Sequence, residues 1–216
     1  MKIRREEWVS FGTHMLGVMA AIAGMIQLIH ISKESFELRV VSLIYILSAI
    51  FLFSASSLYH AYKQKENEVN IRRKIDHLAI FFMIAGTYTP ICYIYLSGSM
   101  LWGILITQWL LVLLGFFFRF FYLNAPRMLY TSIYILMGWV VIIPIKKLIT
   151  VMPSDVMVYL LLGGIFYTVG AAIYIIKRPR QFNGLFGFHE IFHLFILMGA
   201  ISHYVVVYKG LKMLSG

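Results

Sequence analysis

The sequence has very little cysteine and little charge. Cys92 is the single cysteine in 216 residues, so a disulfide within the chain and a thiolate metal cluster are both excluded. Charged residues make up 13% of the chain, whereas they make up roughly 25% of a soluble domain. Hydrophobic residues reach 61%. A water-soluble fold of this size cannot bury that much apolar surface, so the bilayer must solvate most of the chain.

Seven apolar stretches are long enough to cross a membrane, since one span takes roughly 20 residues. They cover residues 11–31, 40–62, 76–96, 100–118, 128–146, 156–176 and 187–208. Each is predicted to be helical, because backbone polar groups in lipid need partners within their own segment. The sequence therefore predicts an all-α protein with seven transmembrane helices, in which residues 1–216 form a single domain.

The positive charges are distributed unevenly between the two ends of these spans. One side holds 13 of the 19 Lys and Arg residues, namely Lys2, Arg4, Arg5, Lys63, Lys65, Arg72, Arg73, Lys74, Arg119, Arg127, Lys177, Arg178 and Arg180. Loops rich in Lys and Arg stay in the cytoplasm, which predicts a cytoplasmic N-terminus and an extracytoplasmic C-terminus. The net charge of +10 fits this topology and attraction to anionic headgroups. Scattered cations in short loops argue against nucleic acid as a partner.

Ionisable side chains inside membrane spans are costly and mark functional sites. His60 lies in the last cytoplasmic turn of the second span, and Asp76 opens the third. His189 and His193 fall in the first two turns of the seventh span, where their spacing places them on one helical face. Three imidazoles are therefore expected at one depth, which predicts a metal site with His60, His189 and His193 as ligands.

Three nitrogen ligands leave one coordination position open, as in catalytic zinc sites. Ser56 lies one turn from His60 on the same face, and Asp76 is expected as a water-mediated partner or an orienting group. His14 remains open as a ligand or as an outer residue of the site. The other membrane histidines are interpreted as packing or interfacial residues: His30, His77 and His203.

Residues His189 to His193 also match the H-E-x-x-H pattern of zinc proteases, in which the glutamate is the general base. A soluble protease of that kind needs a third ligand on a later segment, but only 23 residues follow His193 and they continue one span. Glu190 is therefore interpreted as an acid at a helix start, where the helix dipole favours it.

These motifs resemble those of the hemolysin III family, the bacterial branch of the progestin and adipoQ receptor (PAQR) family. Ser56-Ser57-Leu58-Tyr59-His60 is similar to its S-x-x-x-H motif, Lys74-Ile75-Asp76 to its third-span motif, and His189 to His193 to its H-x-x-x-H motif. Adiponectin receptors and alkaline ceramidases share the pattern. The resemblance covers nearly the whole chain, and it implies zinc on the three histidines with Asp76 and Ser56 beside the open position.

The leading functional hypothesis is a zinc-dependent hydrolase that cleaves a lipid amide or ester within the membrane. The similarity to ceramidases implies this chemistry, with Asp76 as the proton acceptor and Ser56 as an orienting or oxyanion-stabilising group. One alternative is a membrane receptor or sensor with structural zinc, and a second is a membrane-lytic hemolysin. Expected partners are membrane lipids, including a fatty-acyl amide, and the expected location is the bacterial plasma membrane.

Overall fold

The computed structural model describes residues 3–65, 70–121, 127–180, 182 and 185–215. Segments 66–69 and 122–126, which the sequence predicts to lie in two cytoplasmic loops, are outside the described residues. The described residues form these helices: α1 (Trp8–Ile31), α2 (Phe36–Tyr62), α3 (Ile71–Tyr95), α4 (Gly98–Phe121), α5 (Arg127–Trp139), α6 (Ile145–Val151), α7 (Ser154–Ile176) and α8 (Phe188–Ser215). Within the same ranges, extended pairing is limited to one bridge between Phe182 and Phe186.

Six of these helices are long and apolar enough to cross a membrane singly, and α5 with α6 makes a seventh if the pair forms one span. This finding confirms the prediction of an all-α membrane protein, and the described residues give six to seven apolar spans where the sequence predicted seven. The chain is a multi-pass membrane protein.

The fifth predicted span, 128–146, differs from a single straight helix. It consists of α5, a 3-10 segment at Val140–Ile142 and α6, with a bend of 54° between the two parts. Pro144 precedes α6, and a proline has no N–H with which to continue a helix. Tyr88 of α3 compensates at the break, because its hydroxyl donates to the Gly138 carbonyl at 2.6 Å and accepts from the Val141 amide at 2.7 Å.

Helix α3 lies at the centre of the bundle, in contact with α2, α4, α5 and α8. Helix α1 packs against α2 and α8, and α7 packs against α8 and α5. Gly86 permits the close approach of α3 to α2, since a Cβ there would lie only 2.6 Å from the Ser48 Cβ. The packing brings the starts of α1, α3 and α8 to the same end of the bundle as the end of α2. We call this the histidine end.

The topology has a direct test, because six or seven crossings place the C-terminus on different sides. We expect a reporter fused after Gly216 to be extracytoplasmic and one inserted between Lys65 and Asn70 to be cytoplasmic, as the distribution of cations requires. The measurement is the activity of a paired phosphatase and fluorescent-protein reporter at each site. Both reporters on one side would mean that the bent α5–α6 pair does not cross.

Candidate metal centre

Three imidazoles meet at the histidine end, from α2 and from the first two turns of α8. His60, His189 and His193 each offer one ring nitrogen, and these atoms lie within 4.8 Å of one another. The Nε2 atoms of His60 and His189 are 3.4 Å apart. Two nitrogen ligands of a tetrahedral zinc are roughly 3.3 Å apart, given bonds of about 2.0–2.1 Å. The arrangement of these rings therefore fits a small cation.

Glu7, which the sequence interpretation missed, orients His60 from the segment just before α1. Its carboxylate lies 2.6 Å from His60 Nδ1 and 2.6 Å from Lys63 Nζ, and the residue is only 5% exposed. With Nδ1–H donating to Glu7, His60 presents Nε2 as a lone-pair nitrogen to a metal. The one signal in the sequence was a carboxylate next to the start of the first predicted span, at the predicted depth of His60.

Asp76 and Ser56, the two other residues that the sequence analysis proposed for the site, lie beside this cluster. Asp76 is near the start of α3, and its carboxylate accepts a hydrogen bond from the Ser56 hydroxyl. It also interacts electrostatically with His60 and, more weakly, with Arg119. Both predicted residues line the same cavity as His189 and His193. Neither residue belongs to the three-nitrogen cluster. Their side chains are therefore free of that cluster and placed to contact a molecule bound in the cavity.

Glu190 is engaged in holding α8 against α1. The Ser10 hydroxyl donates to its Oε1 at 3.0 Å, and the Gly187 amide donates to its Oε2 at 2.8 Å. Both carboxylate oxygens are thus bonded at the start of the helix. This geometry agrees with a helix-start acid and speaks against Glu190 as the base of an H-E-x-x-H protease.

Of the four remaining histidines, His14 comes closest to the centre. Its ring centroid lies 4.0 Å from that of His193, it is buried, and neither ring nitrogen has a hydrogen-bond partner among the described residues. His30 is exposed at the opposite end of α1, which fits an interfacial residue. His77 and His203 line the cavity and are not part of the three-nitrogen cluster.

A cavity of about 630 Å³ extends from the histidines into the bundle. Charged side chains surround it at the histidine end, among them Arg4, Glu6, Lys63, Arg73, Lys177 and Arg180. Its deeper wall is mainly apolar and includes Leu52, Ile80, Met83, Ile84, Leu160 and Ile196. Such a cavity, polar at one end and apolar beyond, suits an amphiphile whose head lies at the histidines and whose chain lies between the helices.

Comparison with known proteins gives matches along nearly the whole chain. The sequence model of the family described as Haemolysin-III related matches residues 3–204. Hemolysin-3 of Bacillus cereus is 35% identical over 205 residues, covering 94% of this chain and 90% of that protein. The human monocyte to macrophage differentiation factor is 26% identical over 208 residues, covering 92% and 82%. The adiponectin receptor protein of Drosophila melanogaster is 27% identical over 222 residues, covering 89% and 48%.

Proposed function

We propose that this chain, which belongs to the haemolysin-III-related family, holds zinc and hydrolyses an amide or ester bond of a membrane lipid. The family match and the likeness to an adiponectin receptor confirm the resemblance seen in the motifs. The observation that carries the hydrolase proposal is a three-imidazole cluster of which two members, His189 and His193, line a cavity that becomes apolar beyond them. A lipid can therefore bring a polar bond to the imidazoles while its chain stays out of water.

The donor set supports zinc as the metal. His60, His189 and His193 would supply three neutral nitrogen ligands, which zinc accepts readily. When bound, zinc supplies a Lewis acid that polarises a carbonyl and makes water more acidic. Structural zinc sites usually have four protein ligands, whereas the cluster in the described residues has three, of which His189 and His193 line a cavity. This difference favours a hydrolase over a receptor with structural zinc.

Asp76 and Ser56 supply the proton chemistry in this proposal. The Asp76 carboxylate takes one proton from water as the water oxygen bonds to the substrate carbonyl carbon, and it then gives that proton to the leaving amine or alcohol. The Ser56 hydroxyl donates to the same carboxylate and keeps it oriented toward the cavity. The bond between carbonyl carbon and leaving group breaks, so the products are a fatty acid and an amine or alcohol.

The contact between Glu7 and His60 leads to a prediction about metal affinity. Glu7→Gln should weaken zinc binding by about 10- to 100-fold, the usual cost of losing a carboxylate that orients a histidine ligand. The matched control is Glu6→Gln, because the neighbouring Glu6 pairs with Arg4 and, among the described residues, with no histidine. Zinc affinity measured by competition with a chelator should fall in the first variant only. Equal affinity in all three proteins would show that Glu7 does not support the metal.

The proposed activity is tested by presenting lipid amides and esters, including a ceramide, to the zinc-loaded protein in detergent. We expect release of fatty acid from at least one class. Zinc bound without release from any member of a broad panel would favour the receptor alternative. Leakage from dye-loaded vesicles that persists in Asp76→Asn would favour membrane lysis, the activity for which the Bacillus cereus relative, hemolysin-3, is named.

A further inference from the structure

The cavity wall carries a second polar pair away from the histidine centre, formed by His203 of α8 and Tyr167 of α7. Both side chains line the cavity, and their ring centroids are 5.4 Å apart. We propose that this pair is a subsite for one hydroxyl group on the apolar chain of a bound amphiphile. The subsite rests on the proposed function in taking an amphiphile as the occupant of the cavity, and it assigns to His203 more than the packing role inferred from sequence.

One ring nitrogen of His203 is available as a hydrogen-bond acceptor. Its Nε2 lies 3.3 Å from the Leu160 carbonyl oxygen, which can only accept, so this contact assigns the proton to Nε2. The other nitrogen, Nδ1, then carries a lone pair. It is buried and has no hydrogen-bond partner among the described residues.

Tyr167 provides the complementary donor. Its hydroxyl is likewise buried and unpartnered within the described part of the chain. An acceptor and a donor on two rings in contact match a hydroxyl group, which donates through its hydrogen and accepts through its oxygen. A carbonyl or carboxylate can only accept, and a methylene group does neither. The pair therefore distinguishes a hydroxylated chain from a plain one.

Two glycines provide space for the two rings. A Cβ at Gly163 of α7 would lie 2.2 Å from the His203 ring, and a Cβ at Gly199 of α8 would lie 2.8 Å from the Tyr167 ring. Each ring thus packs directly against the backbone of the opposite helix. A side chain at either position would displace the ring that packs there. The two glycines therefore allow both rings to stay in the cavity wall.

The position of His203 and Tyr167 determines where along the bound chain the hydroxyl group must be. His203 follows His193 by ten residues on one helix, a distance of roughly 15 Å along its axis. Apolar groups such as Ile196 and Met83 form the wall of the cavity as well. An amphiphile with its head at the histidine centre would therefore reach the subsite with the middle of its chain.

The test is equilibrium binding of two fatty acids that differ in one hydroxyl. The zinc-loaded protein in detergent is titrated with octadecanoic acid and with 12-hydroxyoctadecanoic acid, and the 2-hydroxy isomer serves as a positional control. We expect about tenfold tighter binding of the 12-hydroxy acid, which corresponds to two neutral hydrogen bonds, and no gain for the 2-hydroxy isomer.

Substitutions show whether Tyr167 and His203 cause a preference for the 12-hydroxy acid. Tyr167→Phe removes only the hydroxyl, and His203→Phe removes the acceptor but keeps a ring. Each should reduce the preference about threefold, measured in that variant as the ratio of the dissociation constants of octadecanoic acid and 12-hydroxyoctadecanoic acid. Tyr159→Phe is the matched control, since Tyr159 also lies on α7 but is not among the residues lining the cavity.

The outcomes separate this subsite from the proposed function. Binding of octadecanoic acid without a preference for the 12-hydroxy acid would overturn the subsite and leave the lipid cavity intact. A preference that persists in both Tyr167→Phe and His203→Phe would also overturn it. No binding of any of the three acids would overturn the subsite together with the view that the cavity holds an acyl chain.

Discussion

Replacing Asp76 with asparagine should abolish lipid hydrolysis while leaving zinc bound. The amide has nearly the same shape as the carboxylate and still accepts the Ser56 hydrogen bond, but it cannot take a proton from water. The loss of a general base typically costs about 10²- to 10⁴-fold in rate. Because the three-nitrogen cluster does not include Asp76, the metal content should stay at that of the unaltered protein.

The measurement is fatty-acid release per bound zinc, with Asp155→Asn as the matched control. Asp155 starts α7 and pairs with Lys209, so its replacement should leave the rate unchanged. Undiminished release in Asp76→Asn would exclude Asp76 as the base. Simultaneous loss of zinc would instead identify Asp76 as a metal ligand.

Removing His60 and His193 together should eliminate zinc. The double variant His60→Ala, His193→Ala takes one ligand from each of α2 and α8 and leaves His189 as the one remaining member of the cluster. Even with His14 as a substitute, two imidazoles fall short of the three-nitrogen set and should lose zinc during purification. Occupancy should fall from about one zinc per chain to nearly none, as measured by elemental analysis of purified protein. A double variant is the sharper test than His193→Ala alone, because His14 lies 4.0 Å from His193 between ring centroids and could replace it.

His30→Ala is the control for this experiment, since His30 is exposed and at the other end of α1. It should retain full zinc. Thermal unfolding of the zinc-free double variant then shows whether the bundle persists without metal. Full zinc occupancy in the double variant would remove the basis for assigning the metal to these histidines.

Much of the site was predictable because depth in the membrane can be read from hydropathy. The spans place His60, Asp76 and the start of the last helix at one level, and the spacing of His189 and His193 puts both on one face. The structure brings these residues together with Ser56. The same reasoning identified Glu190 as a helix-start acid, which its bonds to Ser10 and Gly187 support.

The contacts between distant helices were not predictable in the same way. In a membrane protein both the lipid-facing and the packed faces of a helix are apolar, so periodicity does not reveal which helices are neighbours. Glu7 became part of the site only because the start of α1 packs beside the end of α2. For the same reason the sequence analysis predicted one unbroken helix over 128–146, although Pro144 lies within it, and did not predict that Tyr88 bonds to both sides of the break.

The most direct test of a zinc-dependent hydrolase is a zinc titration of metal-stripped protein in the presence of a lipid substrate identified from the panel. Bound zinc and released fatty acid are measured in the same samples. The proposed mechanism predicts that both rise together and level off at about one zinc per chain. One tightly bound zinc per chain, with fatty-acid release no greater than in the stripped protein, would contradict the claim that the histidine centre is catalytic.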